Sequence, residues 1–237
     1  MIKLIVSNEK LYGGLLKIPL LGDFFSFDVE RLNKVKSEDL FVQIIDRIRM
    51  GNGTFKTTKK QRFADIDEAL LQMLDKDKTY KIHDVAVSDG ITSTELFHLL
   101  NREGIQTEFH ISDKYSRIFV CEKLGVRVYR DTDGKVIFID FQGILADKNL
   151  PRKFYLSQLL GKMLKLDGDF GGNRKKILLL NPATMQLMKA KKLHFKNFDI
   201  FDTDPEKEQY DIIRCMNILH TTYFSPEQIQ LAAGGLI

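Results

Sequence analysis

The chain has 237 residues, of which 43% are hydrophobic and 29% charged, and a net charge of +4. That length supports one large domain or a domain with an appendage, with a core that needs no covalent staples. The mild positive balance has no dense Lys/Arg block, which argues against a nucleic-acid partner. The only two cysteines, Cys121 and Cys215, are far apart and form no C-x-x-C pair. They speak against a disulfide framework or a cysteine zinc site, and no metal is expected.

Residues 1–25 are apolar in patches but are interrupted by Lys3, Glu9, Lys10 and Lys17. This is not the unbroken apolar core of a signal peptide. No run reaches the ~18 apolar residues of a membrane span, so a cytoplasmic protein is the expectation.

Residues 1–79 read as a mainly helical N-terminal domain. Leu40, Phe41, Ile44, Ile45 and Ile48 recur at helical spacing, and the turn Gly51-Asn52-Gly53 follows. A second helix is marked by Ile66, Ala69, Leu70, Met73 and Leu74, with Asp65 as its N-cap. The basic connector Lys56, Lys59, Lys60 and Arg62 reads as a solvated loop, or as a face for an acidic group.

From residue 80 to 237 the pattern is strand–helix alternation with an interruption at about 117–175. A strand at 81–87, a helix at 92–101 closed by Gly104, and a strand at 108–112 make a βαβ unit and predict a parallel sheet. Residues 126–130 and 135–141 are β-rich, and Asp131-Thr132-Asp133-Gly134 joins them as an antiparallel hairpin, hence an insertion. Pro151–Leu166 has the pattern of a basic amphipathic helix, suited to packing on the insertion or, as a minority reading, to a membrane surface or a partner. A Gly-rich loop follows at 168–173, and the α/β pattern resumes with the apolar run 177–180, a helix at 183–191 and strands at 193–200 and 210–216. Ser225-Pro226-Glu227-Gln228 is a helix start with cap, leading proline and a glutamine at the third helical position.

The segment 82–93 carries most of the chemistry. An apolar strand containing Asp84 runs into small residues at fixed spacing, Ala86, Ser88 and Gly90, and then into a helix. Small residues let the backbone approach a ligand, and the helix start supplies free N–H groups. Aligned on G-x-G-x-x-G the segment lacks the third glycine, which disfavours a dinucleotide or nucleotide-sugar site. Asp113, ending the second strand, reads as a helix or turn cap, or as a carboxylate placed to accept charge-assisted hydrogen bonds. Asp199, followed by Ile200, reads as a strand-end turn residue or as a second carboxylate at the same edge, and Asp202 and Asp204 compete with it for the latter role.

The pattern Asp84-x-Ala86-x-Ser88-x-Gly90 resembles the D-x-G-x-G-x-G turn of class I S-adenosylmethionine-dependent methyltransferases. The string Tyr210-Asp211-Ile212-Ile213-Arg214-Cys215-Met216-Asn217-Ile218-Leu219, followed by His220, Tyr223 and Phe224, is similar to the strand-four segment F-D-x-I-x-C-R-N-x-L-x-Y-F of chemotaxis receptor methyltransferases, with Met216 in place of the arginine. The likeness covers roughly residues 54–228. It implies an α/β, Rossmann-like sheet with a helical N-terminal part and a small antiparallel insertion, binding S-adenosylmethionine through Asp84, Ala86, Ser88, Gly90, Asp113, Asp199, Ile200 and Asn217. The acceptor would be a protein or a small molecule, with His220 and Tyr223 as candidate bases. The family's E-E after its turn is replaced by Ile91-Thr92, which removes the ground for receptor-glutamate specificity, and N/D-P-P-Y is absent. The alternative is a non-catalytic methyltransferase-like module that holds a partner protein. The ending Gly234-Gly235-Leu236-Ile237 resembles the start of a fifth strand, which implies either a truncated chain or a smaller sheet.

Overall fold

The computed structural model describes residues 37–46, 48–51, 53–56, 58–123, 126–141, 144–147, 175–202, 209–216 and 218–236, with a few isolated positions before 37. The helix expected at 151–166 and the loop expected at 168–173 lie outside the described residues. The protein is an α/β fold of two compact units, Met1–Thr57 with Arg117–Pro182 and Thr58–Ser116 with Ala183–Ile237.

The first unit holds helix α1, Glu38–Ile45, which starts as the sequence predicts: Ser37 caps it by accepting from the Leu40 amide at 3.3 Å. Leu40, Phe41, Ile44 and Ile45 are buried. Ile48 is buried too but beyond the helix, and the chain then turns so that Met50 N–H donates to Thr54 O. The sheet of this unit is antiparallel, with order β6-β5-β4-β3-β7. Its strands are β3 Arg117–Lys123, β4 Val126–Arg130, β5 Val136–Phe141, β6 Ile144–Asp147 and β7 Lys175–Leu178. The β4–β5 hairpin is the one expected. Its turn is closed by Asp131, whose carboxylate accepts from the Lys135 amide at 2.9 Å and from the Gly51 amide at 3.0 Å. The run expected to resume the parallel sheet is corrected here: β7 pairs antiparallel with β3. A short apolar run carries no information about direction, so its sheet was not readable from the residues.

The second unit holds a parallel sheet of four strands, β1 Thr79–Val85, β2 Gln106–Ser112, β8 Leu193–Lys196 and β9 Ile212–Cys215, in the order β8-β2-β1-β9. One face of it carries Ile82, Phe109, Ile111 and Leu193. These pack under α3 (Ile91–Arg102) through Leu96, Phe97 and Leu100, with Leu70, Leu71 and Leu74 of α2 (Ala64–Gln72) and its end, and Leu187 and Met188 of α4 (Pro182–Lys189), against the same core. Gly104 closes α3 in the left-handed region, φ +81°, with Ile105 N–H donating to Leu100 O at 2.9 Å. On the other face Val85 packs with Ile200 and with Ala232 of α5, Pro226–Leu236.

Two expectations change. In α2 only part of the expected stripe faces the core: Leu70 and Leu74 pack there, but Ile66 is 50% and Met73 81% exposed, while Asp67 is 5%. The cap is displaced as well, because the helix begins at Ala64 after Phe63 and Asp65 lies in its first turn. Residues 226–236, including the Gly-Gly pair read as a strand start, are one helix. Its capping box is reciprocal: Gln228 N–H donates to Ser225 Oγ at 3.3 Å and Ser225 N–H to Gln228 Oε1 at 2.9 Å. Helix propagation from so strong a start carries through two glycines, each costing only about 1 kcal/mol. No helix among the described residues is long and apolar enough to cross a membrane.

Leu100, fully buried, should lose about 2–5 kcal/mol on Leu100→Ala. Ile66→Ala, on the outward face of α2, should stay within about 0.5 kcal/mol. Urea unfolding of the two variants measures the contrast directly.

Candidate functional site at the sheet edge

All four strands of the parallel sheet run the same way, so Val85, Ser112, Lys196 and Cys215 end at one edge. The order reverses between β1 and β9, which makes the space beside the β1 end a switch point, the ordinary place for a ligand in open α/β sheets. The loops after these strands carry Ala86, Ser88, Gly90, Asp113, Asp199, Ile200, His220 and Tyr223. The topology brings the candidates to one edge, except Asn217 and the competing Asp204, which lie outside the described residues.

The turn after β1 has an uncommon backbone. Ala86, Ser88 and Gly90 all have positive φ, +59°, +60° and +81°. The left-handed region costs a residue with a Cβ about 1–2 kcal/mol, so two non-glycine residues are held there against their preference. The hold is visible in the hydrogen bonds: Val87 N–H donates to Ser112 O at 3.1 Å, Gly90 N–H to Val87 O at 2.9 Å, and Ser88 N–H to Asp113 Oδ2 at 2.9 Å. The other Asp113 oxygen accepts from the Tyr115 amide at 2.7 Å. Asp113 is thus the clasp of the turn. Gly90 is a glycine for a second reason, since a Cβ there would meet Thr184 Cγ2 of α4 at 2.7 Å. Thr184 also shares a hydrogen bond with Thr94 of α3 at 2.8 Å.

Asp84 faces inward. Its side chain lies on the helix-covered face, 2% exposed, where Oδ2 accepts from Ser93 Oγ at 2.6 Å and from Arg214 Nη1 at 2.7 Å. Arg214 Nη2 donates to Asp67 Oδ1 of α2 at 2.9 Å, and its guanidinium lies 5.2 Å from the Phe63 ring centre. Arg214 and Asp67 are each 5% exposed. Burial pushes the Asp84 carboxyl upward against the pull of Arg214 and Ser93. Burial likewise raises Asp67 to about 6, opposed by Arg214 and reinforced by the Asp84 charge. Cys215, beside them, is pushed up to about 11, by burial first and then by Asp84, so its thiol stays protonated and poorly nucleophilic.

Asp199 is engaged within the protein: Oδ2 pairs with Lys114 at 2.8 Å and Oδ1 accepts from the Phe201 amide at 3.2 Å. Ile200 is buried against Val85 and Ala232. A pocket of about 520 Å³ opens at the 200–202 loop and α5, with Ile200, Phe201, Asp202, Glu227, Gln230 and Leu231 in its walls. Of the expected site residues only Ile200 lines it, while Asp202, the competing acid, does so as well. His220 is exposed, and its Nδ1 accepts from the Thr222 amide at 3.0 Å. Tyr223 is 52% exposed. Among the described residues no group of three or more His, Cys, Asp or Glu side chains is placed to hold a metal ion.

Arg214, Asp67, Ser93 and Thr184 escape a reading of local pattern. One signal was present: Asp84 and Arg214 are opposite charges set among apolar residues of two strands, and charges so placed need a partner. No protein-family model matches the chain, and no curated protein matches it significantly. The class is therefore set by architecture: an α/β protein with a four-stranded parallel sheet and a separate antiparallel sheet.

Arg214→Met strands two buried carboxylates and should cost about 3–5 kcal/mol in urea unfolding. Replacing Asp67, Asp84 and Arg214 together by Leu, Leu and Met should recover most of that loss, because no charge is then left unpaired.

Proposed function

We propose that the parallel-sheet unit is an S-adenosylmethionine-dependent methyltransferase centre acting on a protein or small-molecule acceptor. The observation that carries this reading is the backbone of residues 86–90. Its three positive-φ positions are the three at which the turn it resembles has glycine. Strain of that kind, held in place by Asp113, is the sort of feature found where a site must be pre-organised. The strand order β8-β2-β1-β9 supports the reading too, since it is half of a doubly wound sheet of the Rossmann-like kind, with the turn at its switch point.

The residues present fit such a cofactor in one specific respect. Ser88 Oγ is buried and has no hydrogen-bond partner among the described residues, so a polar ligand group at the turn would satisfy it. Ser88 and Asp113 would hold the ribose side, Asp113 from the position at which it also accepts from the Ser88 and Tyr115 amides. Ile200 and Asp202, which share the pocket wall, would hold the adenine side; Asp199 is committed to Lys114. When bound, the cofactor supplies an electrophilic methyl group on sulfur. The chain's part is to orient that group and exclude water, and a carboxylate acceptor would need no base. For a hydroxyl or amine acceptor, His220 and Tyr223 are the available bases, both exposed.

One observation favours a second reading, the non-catalytic module that holds a partner protein. Asp113 and Asp199, the two acids expected to contact the cofactor, already hold groups of the protein itself.

Titration calorimetry with S-adenosylmethionine and S-adenosylhomocysteine separates the two. Binding in the micromolar range, weakened at least about tenfold by Asp113→Ala, is expected of a methyltransferase site. Absence of heat from both ligands would exclude it. Ala86→Gly and Ser88→Gly should leave thermal stability unchanged or raise it, against the usual loss of about 0.5–1 kcal/mol for glycine, because the left-handed backbone is relieved.

A further inference from the structure

Two carboxylates share one guanidinium in a place that solvent does not reach. Asp67, Arg214 and Asp84 are 5%, 5% and 2% exposed. Arg214 gives Nη1 to Asp84 and Nη2 to Asp67, at 2.7 and 2.9 Å, and its Nε has no hydrogen-bond partner among the described residues. With both acids ionised the cluster carries one uncompensated negative charge, and a buried net charge is relieved most readily by taking up a proton.

The two acids are not equivalent. Asp84 also accepts from Ser93 Oγ at 2.6 Å and stands two residues before Ala86; Ser93 stands three residues after Gly90. Asp84 and Ser93 therefore tie together the two ends of the turn 86–90. Asp67 belongs to α2 and has no such second tie among the hydrogen bonds described, and the Glu95 charge from α3 repels its ionised form as Asp84 does.

We infer that Asp67, Arg214 and Asp84 form a proton-operated latch on the turn after β1, which regulates the cofactor site proposed above and rests on that reading. With a proton on Asp67, Arg214 serves Asp84 alone and the turn is clamped between Asp84 and Ser93. When Asp67 ionises, the guanidinium is divided between two repelling carboxylates and the clamp slackens. The charged and titratable groups that face Asp67 are Arg214 of β9, Asp84 of β1 and Glu95 of α3, with Cys215 near Asp84. The sign follows from Asp67's elevation, mainly by burial, from 3.8 to about 6. Between those values the folded state keeps a proton that the unfolded chain has lost. The stabilisation is thus complete below the lower value and disappears as pH rises through the upper one.

The test uses the full chain. Amide hydrogen exchange at Ser88, Gly90 and Ser93, corrected for intrinsic rate, should lose protection at least about fivefold from about pH 5 to about pH 7.5, the lower end of ordinary coupling between sites. The Asp67 carboxyl ¹³C resonance of the unaltered protein should titrate over the same interval, and Asp67→Asn should hold acid-level protection throughout. Flat protection in the unaltered protein, or an Asp67→Asn profile that still follows it, overturns the latch. S-adenosylhomocysteine calorimetry then tests the connection to the site. Affinity that falls with pH only while Asp67 is present supports it, and pH-independent affinity overturns the regulation. A turn that titrates with no heat on adding the ligand supports the latch and overturns the cofactor reading, so the two failures are distinguishable.

Discussion

The parallel sheet is organised around a buried guanidinium. Arg214 comes from the last strand in chain order, yet it is bonded to the first strand through Asp84 and to the preceding helix through Asp67. Arg214 and Asp84 are register partners in the β1–β9 pair. Side chains alternate between faces, so a slip of one residue in either strand would put the guanidinium and the carboxylate on opposite faces, each buried and unpaired. The pair therefore fixes register at the place where strand order reverses. Apolar side chains at both positions would pack there without setting register so strictly. The ionic contact adds little net stability over such packing, but breaking it is expensive.

The same constraint accounts for the face that α2 presents. By hydrophobicity alone Ile66 and Met73 belong inside, and both are outside. A helix can bury Asp67 or Ile66 against the sheet, not both fully, and an acid beside a buried arginine outweighs one aliphatic side chain. Leu70, Leu71 and Leu74, three to seven residues on from Asp67, then fall on the buried side. Phe63, at the helix start, lies against the guanidinium.

The parts of the fold legible in the sequence are those whose cause is local. The βαβ unit follows from periodicity and from Gly104, the β4–β5 hairpin from Asp131–Gly134, and α5 from Ser225-Pro226-Glu227-Gln228, each within a few residues of the element it defines. The Arg214–Asp67 contact spans 147 positions and the Thr94–Thr184 contact 90, so no window of sequence contains either. The reading of β7 as part of the parallel sheet failed for the same reason, because its partner β3 lies on the far side of the insertion. In the candidate site, residue identity placed Ala86, Ser88, Gly90 and Asp113 at one edge. It offered a turn cap at Asp113 only as one of two readings and did not reveal that Asp84 faces inward, because those are outcomes of which face a strand residue takes and of what packs on it.

The three residues of the turn differ in how far the fold explains them. Gly90 is required twice, by its φ and by Thr184. Ala86 pays the strain of a Cβ in the left-handed region, but its methyl group packs against the cluster of Val85, Ile200 and Ala232, so the side chain has a structural use. Ser88 has the same backbone strain, and its hydroxyl is buried without a partner among the described residues. A glycine would remove both costs, and an alanine the second. Of the three, Ser88 is therefore the residue that the fold explains least, and the one on which the proposed cofactor reading bears most directly.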